Sequence, residues 1–193
     1  MEKTSKAALR AERLAARARL GPEERAERSG RIALRVDALL AERAARIVAT
    51  FAPLGAEVDG LLAVEAARAR GATIVFPLVR EGERLLVFAP CEPAALVKGP
   101  VGALQPGAEC APVAPAAIDA VLVPGVAFSE DGHRLGRGGG YYDAALAALP
   151  RAFRVGLAFD VQVVATLPLE PHDAGLDALV TESRTLRFAR ESG

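Results

Sequence analysis

Between residues 134 and 143 the chain places two arginines, four glycines and one acid: Arg134, Arg137, Gly136, Gly138, Gly139, Gly140 and Asp143. Backbone N–H groups of a glycine run that leads into a helix can converge on an anion, and the helix dipole adds partial positive charge. Guanidinium groups pair with phosphate oxygens. A carboxylate just inside the helix can carry Mg²⁺ and, through it, a nucleotide. Glycine runs also occur as plain turns, but the arginines and the acid tilt this one toward phosphate. The run is not a P-loop, because no Gly-Lys-Ser/Thr closes it. It is not a dinucleotide fingerprint either, since Tyr141 stands where the third glycine of GxGxxG would fall. Two further cations, Lys6 and Arg10, lie four residues apart on one helix face. They gain nothing from each other, which hints at an anionic partner. Glu57 and Asp59 are candidate acids whose alternative use is to complement a helix dipole.

The elements that must position these groups follow from the pattern. Residues 5–20 are strong helix formers with Ser5 as cap, and Gly21-Pro22 breaks that helix. A second helix runs to about residue 45, with Ile32, Val36, Leu39 and Leu40 at helical spacing. Residues 47–51 read as a core strand ended by Pro53 and Gly55. A helix then follows Glu57-Val58-Asp59 and stops at Gly71. Strands follow at 73–76 and 85–88, and 89–115 reads as an irregular crossing. An apolar run at 120–123 ends at Pro124-Gly125 and leads into the glycine loop and an alanine-rich helix. Residues 153–159 form a strand, 161–166 a short helix or turn, 168–173 a loop and 178–181 a late strand. Strand–helix–strand with short joins argues a right-handed parallel unit, and the whole an α/β single layered domain with a mostly parallel central sheet flanked by helices. Ligands of such sheets bind outside the carboxyl ends of the strands. Phe51, Pro77, Pro124 and Phe159 mark those ends, so Glu57 and the glycine loop are expected on one rim.

A chain of 193 residues with 51% hydrophobic content can build a sizeable core. Its net charge is zero but uneven: residues 1–50 carry 12 basic and 7 acidic side chains, leaving 12 and 17 for the remainder. Most of those arginines are expected to solvate amphipathic helices. Aromatics make up only 5% of the chain and no basic stripe interleaves with them, so nucleic acid is not an expected partner. Cys91 and Cys110 lack metal-ligand spacing and are expected as reduced, buried thiols. No apolar segment of signal-peptide type opens the sequence, and no run approaches the ~20 apolar residues needed to cross a bilayer. A soluble, cytoplasmic protein with no membrane partner is expected.

The run VPGVAFSEDGHRLGRGGGYYD closely resembles the signature of the 5-formyltetrahydrofolate cyclo-ligase family, also called 5,10-methenyltetrahydrofolate synthetases. SKAALR looks like the family's amino-terminal Lys-x-x-Leu-Arg element. The segment from Phe51 to Glu57-Val58-Asp59 looks like its substrate element, and Leu104-Gln105-Pro106-Gly107 like its Glu/Gln-Pro element. Pro171-His172-Asp173 to Asp177, with Val180-Thr181-Glu182, resembles its tail. The resemblance implies a fold related to the sugar-phosphate isomerase and CoA-transferase group. It implies an enzyme that uses ATP and Mg²⁺ to convert 5-formyltetrahydrofolate into 5,10-methenyltetrahydrofolate, through phosphorylation of the formyl oxygen and ring closure; a monomer is expected. A catalytically silent folate- or nucleotide-binding member of the same fold is the alternative. Carried over by position, Lys6, Arg10 and the run Arg134, Leu135, Gly136, Arg137, Gly138, Gly139, Gly140, Tyr141 and Tyr142 would hold ATP. Phe51, Glu57 and residues Arg137 to Tyr141 would contact the folate, Arg137 and Tyr142 would act in catalysis, and Asp143 and Asp177 would bind the metal. Gly60 stands where the family often has threonine, Gln105 where glutamate is common, and Arg137 where tyrosine is frequent.

Overall fold

Caps and glycine–proline breaks set the first elements where the sequence places them. The computed structural model describes residues 5–79, 86–170 and 174–189. Helix α1 (Lys6–Ala18) starts at Ser5, whose hydroxyl accepts from Ala8 N at 3.2 Å. Pro22 opens α2 (Pro22–Glu42), with Glu23 and Glu24 in its first turn complementing the dipole. Ile32, Val36, Leu39 and Leu40 are all buried, one apolar stripe at i, i+4, i+7 and i+8. The helix stops at Glu42 rather than near residue 45, because Ala44 turns into the left-handed region at φ 49°.

β1 (Ile47–Ala49) is followed by a 3₁₀ turn (Leu62–Val64) that runs into α3 (Glu65–Ala69), and then by β2 (Thr73–Val79). β1 and β2 pair in parallel, as the strand–helix–strand pattern implies. β3 (Leu86–Pro90) runs antiparallel to β2 instead, and Leu85, expected to begin it, lies outside the described residues. The irregular crossing contains a two-stranded hairpin, β4 (Val97–Lys98) and β5 (Leu104–Gln105). β6 (Ala120–Val123) does not lead straight into the glycine loop. A further hairpin intervenes, β7 (Ala127–Ser129) and β8 (Arg134–Leu135), folded back at Gly132, whose φ of 90° suits only glycine. Then come α4 (Tyr141–Ala147), β9 (Phe153–Leu157), a 3₁₀ turn (Asp160–Gln162) and β10 (Val163–Val164), which pairs with β7. The late strand is β11 (Ala178–Val180), and β12 (Thr185–Arg187) returns antiparallel beside it.

The seven-stranded sheet has the order β12-β11-β9-β6-β1-β2-β3, parallel except at its two edges. Successive side chains point to opposite faces, and both faces are covered. Val48, Leu122 and Val155 join α2 in one core, whereas Ala49, Val121, Val123 and Leu179 join the α4 end in the other. That double burial explains why the strands read as continuous apolar runs. The chain leaves β1 toward β2 on one side and β6 toward β9 on the other, so the order reverses between β1 and β6. A crevice opens outside the carboxyl ends of strands at such a switch point. Among the described residues no helix is long and apolar enough to cross a membrane.

Candidate active site

A cavity of about 670 Å³ occupies that crevice, within the range of small-molecule sites. Its floor is made where β1 and β6 end, by Phe51, Ala52, Pro124 and Gly125. The β4–β5 hairpin supplies a wall through Leu104 and Gln105. The Gln105 amide is tied to β2 both ways: its Nε2 donates to Val79 O at 3.1 Å, and its Oε1 accepts from Val79 N at 3.2 Å. Only an amide can match both backbone groups; a glutamate there would lack the donor.

The β7–β8 hairpin delivers the glycine loop. Gly138 and Gly140 have φ of 102° and 71°, conformations that side-chain-bearing residues rarely adopt, and Gly140 is the residue from which α4 starts. Arg134, with a side chain only 3% exposed, donates through Nη2 to Asp143 Oδ1 at 2.5 Å and lies 5.8 Å from the Tyr142 ring centroid. The Tyr142 hydroxyl is buried and has no hydrogen-bond partner among the described residues. Burial, and then the charge of Glu57, push its pKa well above the usual phenol value, so at neutral pH it is a hydrogen-bond donor. Helix α1 closes one side: Arg10 Nε donates to Gly136 O at 2.9 Å, and Lys6 pairs with Glu170 at 3.3 Å.

At the other end stands Glu57, in a loop rather than at a helix start, so the helix-dipole explanation does not apply to it. Asp59 is the acid that caps, accepting from Leu61 N and Leu62 N at the 3₁₀ turn. Glu57 Oε2 accepts from Leu54 N at 3.0 Å, while Oε1 accepts from Arg137 Nη2 at 3.0 Å and Nε at 3.2 Å. The glycine loop thus reaches across the cavity to the acid, on one rim as expected. Gly60 explains the close fit behind Phe51: a Cβ there would stand 2.4 Å from Phe51 O, so a side chain such as threonine's has no room.

The model of the 5-formyltetrahydrofolate cyclo-ligase family matches residues 2–182. The chain belongs to that family. The 5-formyltetrahydrofolate cyclo-ligase of Escherichia coli K12 is 32% identical over 170 residues, covering 86% of this chain and 93% of its own. That of Mycolicibacterium smegmatis is 31% identical over 145 residues, covering 72% and 75%. Among solved structures, the 5,10-methenyltetrahydrofolate synthetase of Aquifex aeolicus superposes with a TM-score of 0.82 at 31% identity, over 97% of this chain and 95% of its own. The cyclo-ligase family therefore accounts for both the sequence and the parallel sheet.

The cavity collects most of the residues carried over from the family signature. Lys6, Arg10, Phe51, Glu57 and every residue from Arg134 to Asp143 line it. Asp177 is the exception and the correction. It precedes β11, its Oδ2 accepts from Arg154 N at the start of β9 at 2.7 Å, and it is not a lining residue. Strand direction puts it at the end of the sheet opposite the cavity. Among the described residues no three metal-ligating side chains cluster. One carboxylate plus nucleotide phosphates and water is nonetheless a common Mg²⁺ arrangement, and Asp143, 24% exposed with one oxygen on Arg134, fits it. Pro171, His172 and Asp173 of the tail element lie outside the described residues. Both cysteines are free and half-buried rather than buried.

Sequence reading missed Arg13 and Arg17. With Lys6 and Arg10 they occupy positions i, i+4, i+7 and i+11 of α1, one stripe that faces inward. Arg13 donates to Val161 O at 3.0 Å and Arg17 to Gly125 O at 3.2 Å. The stripe was visible in the spacing, had it been followed past the first pair.

Proposed function

We propose that this protein is an ATP- and Mg²⁺-dependent 5-formyltetrahydrofolate cyclo-ligase that works as a cytoplasmic monomer. The observation that supports the reading best is the Arg137–Glu57 contact. A glycine loop suited to phosphate and a nearly buried carboxylate suited to the N–H groups of a pterin share one cavity. The formyl group of the substrate is amide-like and a poor electrophile. Transfer of the γ-phosphoryl group of ATP to the formyl oxygen leaves ADP and an iminium phosphate. The neighbouring anilino nitrogen then attacks the formyl carbon and loses its proton, and phosphate departs as the five-membered ring closes.

Phosphoryl transfer is mostly positioning and charge neutralisation, and the residues suit that task. Lys6, Arg10 and the Arg134–Tyr142 loop bind the nucleotide, with loop N–H groups turned to its phosphates. Arg137 sits between the phosphate end and the folate end, where it can meet the charge that builds on the transferring group. Tyr142 offers a proton in a hydrogen bond without giving it up. Phe51 packs the pterin, and Glu57 accepts from it, a polar match that rejects ligands lacking the donors. Bound Mg²⁺ would be held by Asp143 and would neutralise phosphate charge. The test is to incubate the protein with 5-formyltetrahydrofolate, Mg²⁺ and ATP and follow methenyltetrahydrofolate absorbance. Ligand-dependent thermal stabilisation without product would instead identify a silent binder.

A further inference from the structure

A charged side chain sits behind the cavity wall with nothing in the reaction to do. Arg17 does not line the cavity, its side chain is 4% exposed, and it comes from the last full turn of α1. Its Nη1 donates to Gly125 O at 3.2 Å, its Nη2 lies 4.0 Å from Glu57 Oε1, and its Nε has no partner among the described residues. Burying a guanidinium with one carbonyl bond and an idle Nε is a poor way to gain stability, since an apolar residue of similar volume would pack without desolvation cost. Burial pulls the Arg17 pKa below its ordinary value, and Glu57 is the nearby charge that opposes this.

We infer that Arg17 is a positioning residue that keeps the Glu57 carboxylate directed into the cavity while Arg137 leaves it for phosphate. The two arginines differ in the way this division needs. Arg137 has a side chain 48% exposed and carries the contacts a phosphate can draw away, whereas Arg17 is fixed by the backbone where the strand ends at Gly125. Without Arg17, a Glu57 deserted by Arg137 would keep only the Leu54 N–H among the described residues, with its side chain 9% exposed. With it, the carboxylate keeps a fixed cationic neighbour at 4.0 Å, and Oε1 can accept from the ligand. The inference rests on the reading of Glu57 as the folate acceptor.

Steady-state KM for folate and for ATP, measured for the parent, Arg17→Gln, Glu57→Gln and the double variant, tests it. Residues acting as a pair show coupling. The expected result is a rise of about tenfold in the folate KM for Arg17→Gln, with the ATP KM and kcat held within about twofold. The double variant should show no further loss beyond Glu57→Gln. Arg17→Lys keeps the charge but lacks the fork that serves Gly125 and Glu57 together. It should lose less than Arg17→Gln, and it carries the same cycle if the glutamine variant does not fold. Equal rises in both KM values, or an Arg17 effect of undiminished size in the Glu57→Gln background, would overturn the positioning role. A Glu57→Gln single variant with an unchanged folate KM would instead bring down the acceptor reading and, with it, this inference.

Discussion

Substitution of Gly60 by alanine tests how closely the segment after β1 is fitted to the cavity. The added Cβ would stand 2.4 Å from the main-chain oxygen of Phe51 and 3.0 Å from Thr50 Oγ1. An unstrained carbon–oxygen contact is about 3.3–3.6 Å, so one backbone segment has to move by roughly 1 Å. Two effects oppose each other. Alanine restricts the unfolded chain, which stabilises by about 0.4–1 kcal/mol. Overpacking costs about 1–3 kcal/mol. The clash is with backbone rather than with a flexible side-chain tip, and the Gly60 carbonyl is itself held by the Thr50 hydroxyl at 2.7 Å. The upper half of the overpacking range therefore applies, and the net loss should be about 2 kcal/mol, or a fall in Tm of about 4–8 °C for a chain of this size. Phe51 lines the cavity, and in the proposed reading it packs the pterin, so the same 1 Å should raise the folate KM and leave the ATP KM nearly unchanged. Thermal denaturation and two substrate titrations read both quantities. An alanine variant with parental Tm and parental folate KM would refute the close-approach argument.

Asp143→Asn should shift the Mg²⁺ dependence of activity to higher concentration and, by leaving the buried Arg134 unpaired, lower stability by roughly 1–3 kcal/mol. Asp177→Asn should leave the Mg²⁺ curve in place while lowering Tm, because its carboxylate serves the Arg154 N–H instead of the cavity; a shifted curve would restore it as a ligand. Tyr142 has a folded pKa above the unfolded value, so the stability linked to its neutral form is intact below about pH 10 and declines as pH rises beyond it. Tyr142→Phe should flatten that alkaline decline in a pH series of unfolding midpoints, and an unchanged slope would contradict the burial argument.

What was legible in the sequence is what local chemistry dictates. Ser5 caps, Pro22 opens a helix, and Pro124 ends a strand whichever domain they inhabit. The glycine loop and its arginines were legible for the same reason, since the backbone at Gly138 and Gly140 favours glycine. Long-range pairing was not. The β7–β8 hairpin hid inside a stretch that looks like a polar loop. Ser129 and Arg134 there are buried with side-chain partners that the hairpin itself brings close: Ser129 bonds Asp131, and Arg134 bonds Asp143. β3 joins β2 antiparallel because too few residues lie between them for a parallel crossover, but its place at the sheet edge is specified by no apolar pattern. Asp177 was paired with Asp143 by the family resemblance alone, one before a late strand and the other just inside a helix. Which end of the strand it occupies decides its role, and only the topology sets that.

The inward stripe of α1 also has a temporal consequence. Arg10, Arg13 and Arg17 bond groups that lie 126, 148 and 108 residues later in the chain. During synthesis at about 5–20 residues per second, this helix emerges before those partners and waits roughly 5–30 s for them. A 13-residue helix is marginal alone in water, so it has little to hold its shape in that interval. Ribosome-bound nascent chains should therefore acquire the sheet before the cavity gains its α1 wall, with α1 docking as a late event of folding.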